Sequence, residues 1–221
     1  MLKSAFKHLV RKLRGDYRPR QTGVWSYDLR PIVSAAHLGD LRELARLLGK
    51  YETESVVNVT RSLETGAKLL HAATRKGQLG VMGLLLDHGA NIHEKDNAGA
   101  TPLHIAAGNG QKEMVSFLLR RGAKAHARDN AGWQPLAAAA FKGHKETAEL
   151  LINNGASVHT VNIAGLTALH KAVGHPATMK LLIGNDAKVD AADAAGSTPL
   201  MHACALPETP ARLRSASLLL D

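Results

Sequence analysis

The sequence predicts an all-α protein, a solenoid of helix-turn-helix units joined by hairpin-like loops, and three observations carry that prediction. Segments Lys68-Leu69-Leu70-His71, Thr101-Pro102-Leu103-His104, Gln134-Pro135-Leu136-Ala137, Thr167-Ala168-Leu169-His170 and Thr198-Pro199-Leu200-Met201 recur at steps of 33, 33, 33 and 31 residues. Aliphatic pairs recur with them as Leu85-Leu86, Leu118-Leu119, Leu151-Ile152 and Leu182-Ile183. The chain is 45% apolar yet only 4% aromatic, which suits a thin core of Ala, Leu, Val and Ile shared between stacked units.

Each segment opens an Ala-rich run that meets a break such as Gly108-Asn109-Gly110 or Lys142-Gly143-His144, where glycine stops a first helix. A second helix follows and carries the aliphatic pair. Gly89, Gly122 and Gly155 stand just before the alanine that starts each loop, at a point where positive φ costs glycine little. In the fifth copy Asp186 takes that place, and Asp tolerates the conformation better than most residues. The loops place one aliphatic each in register, Val59, Ile92, Ala125, Val158 and Val189. A second glycine, Gly66, Gly99, Gly132, Gly165 or Gly196, marks the turn before the next first helix.

Three regions follow along the chain. Residues 1–28 form a basic amphipathic leader and linker, with Leu2, Phe6, Leu9, Val10 and Leu13 on one helical face and Lys3, Lys7, Arg11 and Arg14 on the other. Residues 29–65 form a degenerate N-terminal capping repeat: Ile32-Val33-Ser34-Ala35-Ala36 has the right helix, but the loop from Tyr51 to Thr65 is long and lacks a Gly-Ala pair. Residues 66–221 form the regular repeats, the last one incomplete. The fifth copy is two residues short around His175-Pro176, so a different joint between its helices is expected. The sixth contains Pro207 and Pro210 and reaches Leu218-Leu219-Leu220-Asp221, the counterpart of Leu84-Leu85-Leu86-Asp87, where a Gly-Ala loop should follow. Truncation, or a partner such as a second copy covering that edge, would account for it.

These residues resemble the ankyrin repeat, whose Thr-Pro-Leu-His opening, Gly-centred break and Leu-Leu helix are matched best from Thr101 to Ala123. The resemblance extends over about residues 31–221. It implies that His71, His104 and His170 bond the backbone of a neighbouring loop. It also implies a concave protein-binding surface made of loop tips and the exposed face of each first helix. Positions that the family exposes there are Arg75, Lys76, Asn97, Asn109, Arg128, Asn130, Trp133, Phe141, Lys142, Ile163 and Leu166. Trp133, Phe141, Ile163 and Leu166 are then expected to form an apolar cluster rimmed by Arg75, Lys76, Arg128 and Lys142, which favours a partner with an acidic segment. The competing reading makes Trp133 and Phe141 fillers packed on each other or on adjacent loops.

The implied function is a noncatalytic scaffold or adaptor that binds a protein partner on its concave surface. The alternative is a substrate-recruiting or regulatory region of a larger enzyme assembly. A net charge of +9 invites a nucleic-acid reading, but residues 1–30 hold +6 of it and residues 31–221 only +3, so no nucleic-acid partner is expected for the body. The leader leaves four readings open: a helix docked on the first repeat, a mitochondrial transit segment, a membrane contact through residues 1–14, and a nuclear or helix-binding segment. A cytoplasmic location is expected, with mitochondrial or nuclear alternatives. The single cysteine, Cys204, is consistent with a reducing compartment.

No phosphate loop, Gly-x-Ser-x-Gly elbow, His-Glu-x-x-His pair or Cys-x-x-Cys pair occurs, so no catalytic residues and no cofactor are expected. Nor is a metal site expected among His93, His126 and His159. Adjacent copies stand on the order of 10 Å apart, as packed helices do, whereas ligands of one zinc ion must each lie about 2 Å from it.

Overall fold

A computed structural model describes residues 30–50, 69–207 and 209–220. The leader and linker at 1–28 and the long loop Tyr51–Thr65 therefore lie outside the described residues. Among those described, twelve helices occur: α1 Arg30–Leu38, α2 Leu41–Lys50, α3 Leu69–Arg75, α4 Leu79–Asp87, α5 Pro102–Gly108, α6 Lys112–Arg120, α7 Pro135–Phe141, α8 Lys145–Asn153, α9 Ala168–Ala172, α10 Pro176–Ile183, α11 Pro199–Ala205 and α12 Pro210–Ser217. No extended strand occurs among these residues, and one isolated bridge joins Val161 and Thr167 within a loop. The all-α expectation holds.

The chain divides into two compact units, one of residues 1–73 and 78–91, the other of residues 74–77 and 92–221. In the first, α1 packs on α2 and α2 on α4, burying Ile32, Leu44, Leu48, Met82 and Leu85. Leu41 presses against α4 at Gly80, where a Cβ would stand 2.8 Å from its methyl carbon. The amide of Gln78 donates to the carbonyl of His37, 3.4 Å away, and so ties the start of α4 to the end of α1.

In the second unit the first helices of successive copies form one layer and the second helices another. Helix α7 packs between α5 and α9, and α8 between α6 and α10. The first-helix layer meets through alanines because two backbones approach closely there: Ala106, Ala107, Ala139, Ala140 and Ala172 are wholly buried. The second-helix layer supplies bulk with Met114, Val115, Leu118, Leu151, Met179 and Leu182. In each aliphatic pair the first member is inside and the second half-buried, as period 3.6 requires of adjacent positions at the edge of a buried face.

Glycine stops the first helices as expected. In α5, Gly110 N–H donates to Ala107 O and Gln111 N–H to Ala106 O, and α7 ends in the same way on Ala140 and Ala139. At the ends of the second helices Asp186 adopts φ 65°, where its counterparts Gly89, Gly122 and Gly155 lie at 82°, 89° and 87°. The fifth copy departs as its length predicts: α9 holds five residues, Val173 leaves the helix at ψ 128°, and one bond, His175 N–H to Ala172 O at 2.8 Å, closes the joint. Proline opens α12, and the hydroxyl of Thr209 accepts the N–H of Arg212 to cap it.

The loops are braced by a carboxylate or amide at a fixed register. One side-chain oxygen each of Asp96, Asp129, Asn162 and Asp193 accepts two backbone N–H groups, those two and four residues on, at 2.8–3.0 Å. Backbone rungs then link successive loops: Asn130 N–H to Ala98 O, Ile163 N–H to Ala131 O and Ala194 N–H to Ala164 O, each at 3.0–3.1 Å. Of the loop aliphatics, Ala125 and Val158 are buried and Ile92 half-buried, but Val189 remains 38% exposed and does not join the core as its register suggests.

Candidate binding groove

An open cleft of about 310 Å³ lies in the second unit, lined by the first helices α5, α7 and α9 and the loop before α7. Alanines 100, 137 and 138 and Ile105 set its depth, and Trp133 and Phe141 stand in its walls. Phe141 is 52% exposed although it is large and apolar, and Trp133 is half-buried. The two rings share one cation. Lys171 Nζ lies 5.1 Å from the Trp133 ring centre and 5.2 Å from that of Phe141, while Lys142 Nζ lies 5.2 Å from Phe141 on its own.

Both walls are held through their backbone carbonyls. His104 Nε2 donates to Trp133 O at 3.0 Å, and His175 Nε2 donates to Phe141 O at 3.1 Å. The tautomer of His104 follows from its other nitrogen. Nδ1 accepts the backbone N–H of Thr101 at 3.1 Å, so the proton of the neutral ring sits on Nε2. Burial pushes the His104 pKa below the ordinary histidine value, against the opposing pull of the Trp133 carbonyl. The same box recurs at Thr167 and His170, where Nε2 donates to Ser197 O at 3.2 Å and burial again lowers the pKa. His104 and His170 thus behave as loop anchors, as the resemblance implied.

The residues expected at the binding surface do not all stand free. Arg128 Nη1 donates to Gly132 O at 3.1 Å and to Val161 O at 2.7 Å, which makes it a strut between successive loops. Asn130 donates its amide to Asn97 O at 3.0 Å, and Arg75 pairs with Asp96 at 3.6 Å. Lys76 is exposed beyond α3, and Asn109 is exposed just past the end of α5. Ile163 is 80% exposed at a loop tip and Leu166 half-buried behind it, but neither lines the cleft with Trp133 and Phe141. Lys171, Ile105 and Ala138 do line it, and sequence reasoning passed over them. Each is the fourth residue after the helix-opening Thr101, Gln134 or Thr167, so the same register that located the repeat marks their face.

A second grouping lies between α9 and α11, where candidate ligand atoms of His170, Asp193 and His202 fall within 4.8 Å of one another. Its proton arrangement is wrong for an ion. His170 Nδ1 already accepts from Thr167, so the neutral ring has no lone pair left on Nε2, and Asp193 Oδ1 is taken by Ala195 and Ser197. His202 Nε2, 3.0 Å from Asp193 Oδ2, holds that carboxyl below its usual pKa. The grouping braces the loop before α11. In the sixth copy Met201, Leu213 and Leu220 are 58%, 66% and 72% exposed.

No helix among the described residues is long and apolar enough to cross a membrane. No curated protein matches the chain. A family model for ankyrin repeats matches in three overlapping copies, at residues 32–129, 70–162 and 136–221. With the recurring boxes at Thr101 and Thr167 and the braced loops between them, this match shows that the chain belongs to the ankyrin-repeat family.

Proposed function

We propose that this chain is a noncatalytic scaffold or adaptor that captures a protein partner in the cleft between Trp133 and Phe141. Ankyrin repeats are in general protein-interaction modules, and the observation that carries the reading here is the placement of Phe141. A stacked repeat gains nothing by leaving a large ring 52% exposed beside a tryptophan and two ammonium groups, whereas a docking site gains an anchor. Lys142 and Lys171 at the rings, with Ile163 at the loop tip, extend the contact. Arg128 and Asn130 keep the loops in place, and a partner with acidic residues fits the cations that remain.

A photoreactive phenylalanine analogue replacing Phe141 in the full chain tests the reading in cells, with the same analogue replacing exposed Glu149 on α8 as the control. A discrete protein adduct from position 141 and none from position 149 is expected. Equal adducts from both positions, or none from position 141, would overturn it.

A further inference from the structure

Resting on that reading, we infer that Lys171 selects the partner's chemistry: the cleft takes an extended peptide segment that seats one apolar side chain between Trp133 and Phe141 and places a carboxylate against the Lys171 ammonium. The volume is the first reason. About 310 Å³ lies at the lower end of the range of small-molecule sites, and a floor of Ala100, Ala137 and Ala138 gives depth for a side chain rather than for a large cofactor.

Charge bookkeeping around the cleft supplies the second reason. Arg75 is paired with Asp96, Lys95 Nζ donates to Arg128 O at 2.7 Å, and Arg128 donates to two carbonyls. Lys171 and Lys142 differ from these: each lies over a ring, and neither has an ion pair with a described residue. Two ring faces attract an ammonium but accept none of its hydrogen bonds as strongly as an oxygen does. Lys171 is therefore held in position, partly removed from water, with N–H donors available to an incoming carboxylate.

Asp129 supplies the third reason, because its charge opposes that of Lys171 in the same lining. It also lines the cleft, and one of its oxygens is engaged by the N–H groups of Ala131 and Trp133. An incoming carboxylate is repelled by Asp129 and drawn to Lys171, so the position of the acid within a bound segment is selected.

The test is selection of a random displayed peptide library on the full chain, followed by affinity measurement on the enriched peptides. Enrichment of Asp or Glu within a residue or two of a Leu or aromatic residue is expected. Lys171→Gln should weaken such a peptide about tenfold, Lys171→Arg much less, and replacing the peptide's acid by its amide should add nothing further in the Lys171→Gln background. Thermal melts of each variant check that the stack is intact. Enriched peptides that need Phe141 but lack acids, or that bind Lys171→Gln unchanged, would overturn the inference and leave the groove standing. Peptides indifferent to Phe141→Ala would overturn the groove itself, and the inference with it.

Discussion

His104 Nε2 lies 3.0 Å from the carbonyl oxygen of Trp133, so a buried scaffold residue in one copy fixes the wall of the cleft in the next. The bond spans 29 residues of sequence and adds a tie from α5 to the loop braced by Asp129, which the Asn130–Ala98 rung already joins to the loop braced by Asp96. Replacing His104 with Ala removes the bonds to Thr101 and Trp133 together and leaves buried groups unpaired. A loss of about 1–3 kcal/mol per orphaned group is expected. In a Trp25→Phe background, Trp133 fluorescence should also shift towards that of a solvated indole before global unfolding. An unchanged denaturation midpoint would show that the bond is dispensable.

Acid should destabilise the second unit through its buried histidines. His104 and His170 have folded pKa values below the ordinary 6.5, because burial disfavours the charged ring. The unfolded chain then binds more protons than the folded one in the interval below 6.5. Their contribution is fully present above that value and is lost as pH falls through it towards the folded values. Denaturant midpoints should therefore drop between about pH 7.5 and pH 5.5, and His104→Gln should flatten that slope. A slope that ignores both histidines would place the titration elsewhere.

Two glycines at similar φ should respond differently to alanine. Gly99 has φ 77°, and a Cβ there would stand 2.6 Å from the backbone nitrogen of Asn130, the residue that makes the rung to Ala98. Gly122 has φ 89° and open space around it. Gly122→Ala should cost about 1–2 kcal/mol, the conformational penalty alone. Gly99→Ala should cost clearly more, because the rung must also move. Equal melting-temperature shifts in the two variants would show that the loops separate freely.

How far the sequence reaches is visible in these residues. Glycine stops, aliphatic pairs and the positive φ of Asp186 are local properties repeated in register, so a single chain displays them. Lys171 shares a register with Ile105 and Ala138, but a lysine among apolar counterparts looks like a solvated residue until the rings of Trp133 and Phe141 are seen beside it. Asp96, Asp129, Asn162 and Asp193 recur too, at steps of 33, 33 and 31, a signal of their bracing that sequence reasoning passed over. The partners of Arg128 and Asn130 were not readable. Across the loops they are backbone carbonyls at Val161 and Asn97, each 33 residues away, and any residue type supplies such an oxygen.

That difference makes Arg128 and Lys142 a decisive pair. Both are exposed cations in the expected rim, yet Arg128 bridges Gly132 O and Val161 O while Lys142 Nζ lies 5.2 Å from the Phe141 ring centre and makes no ion pair with a described residue. A strut of two charge-assisted bonds, discounted for its exposure, is worth about 1–2 kcal/mol. Arg128→Ala should lower stability by that amount. Arg128→Lys should recover part of it, because one ammonium cannot reproduce the reach and planarity of a guanidinium. Lys142→Ala should stay within about 0.5 kcal/mol of the parent, as a surface change away from any strut does. Urea midpoints for the three variants check this, and a Lys142→Ala loss matching that of Arg128→Ala would assign both residues to the scaffold and leave Lys171 as the cation of the cleft.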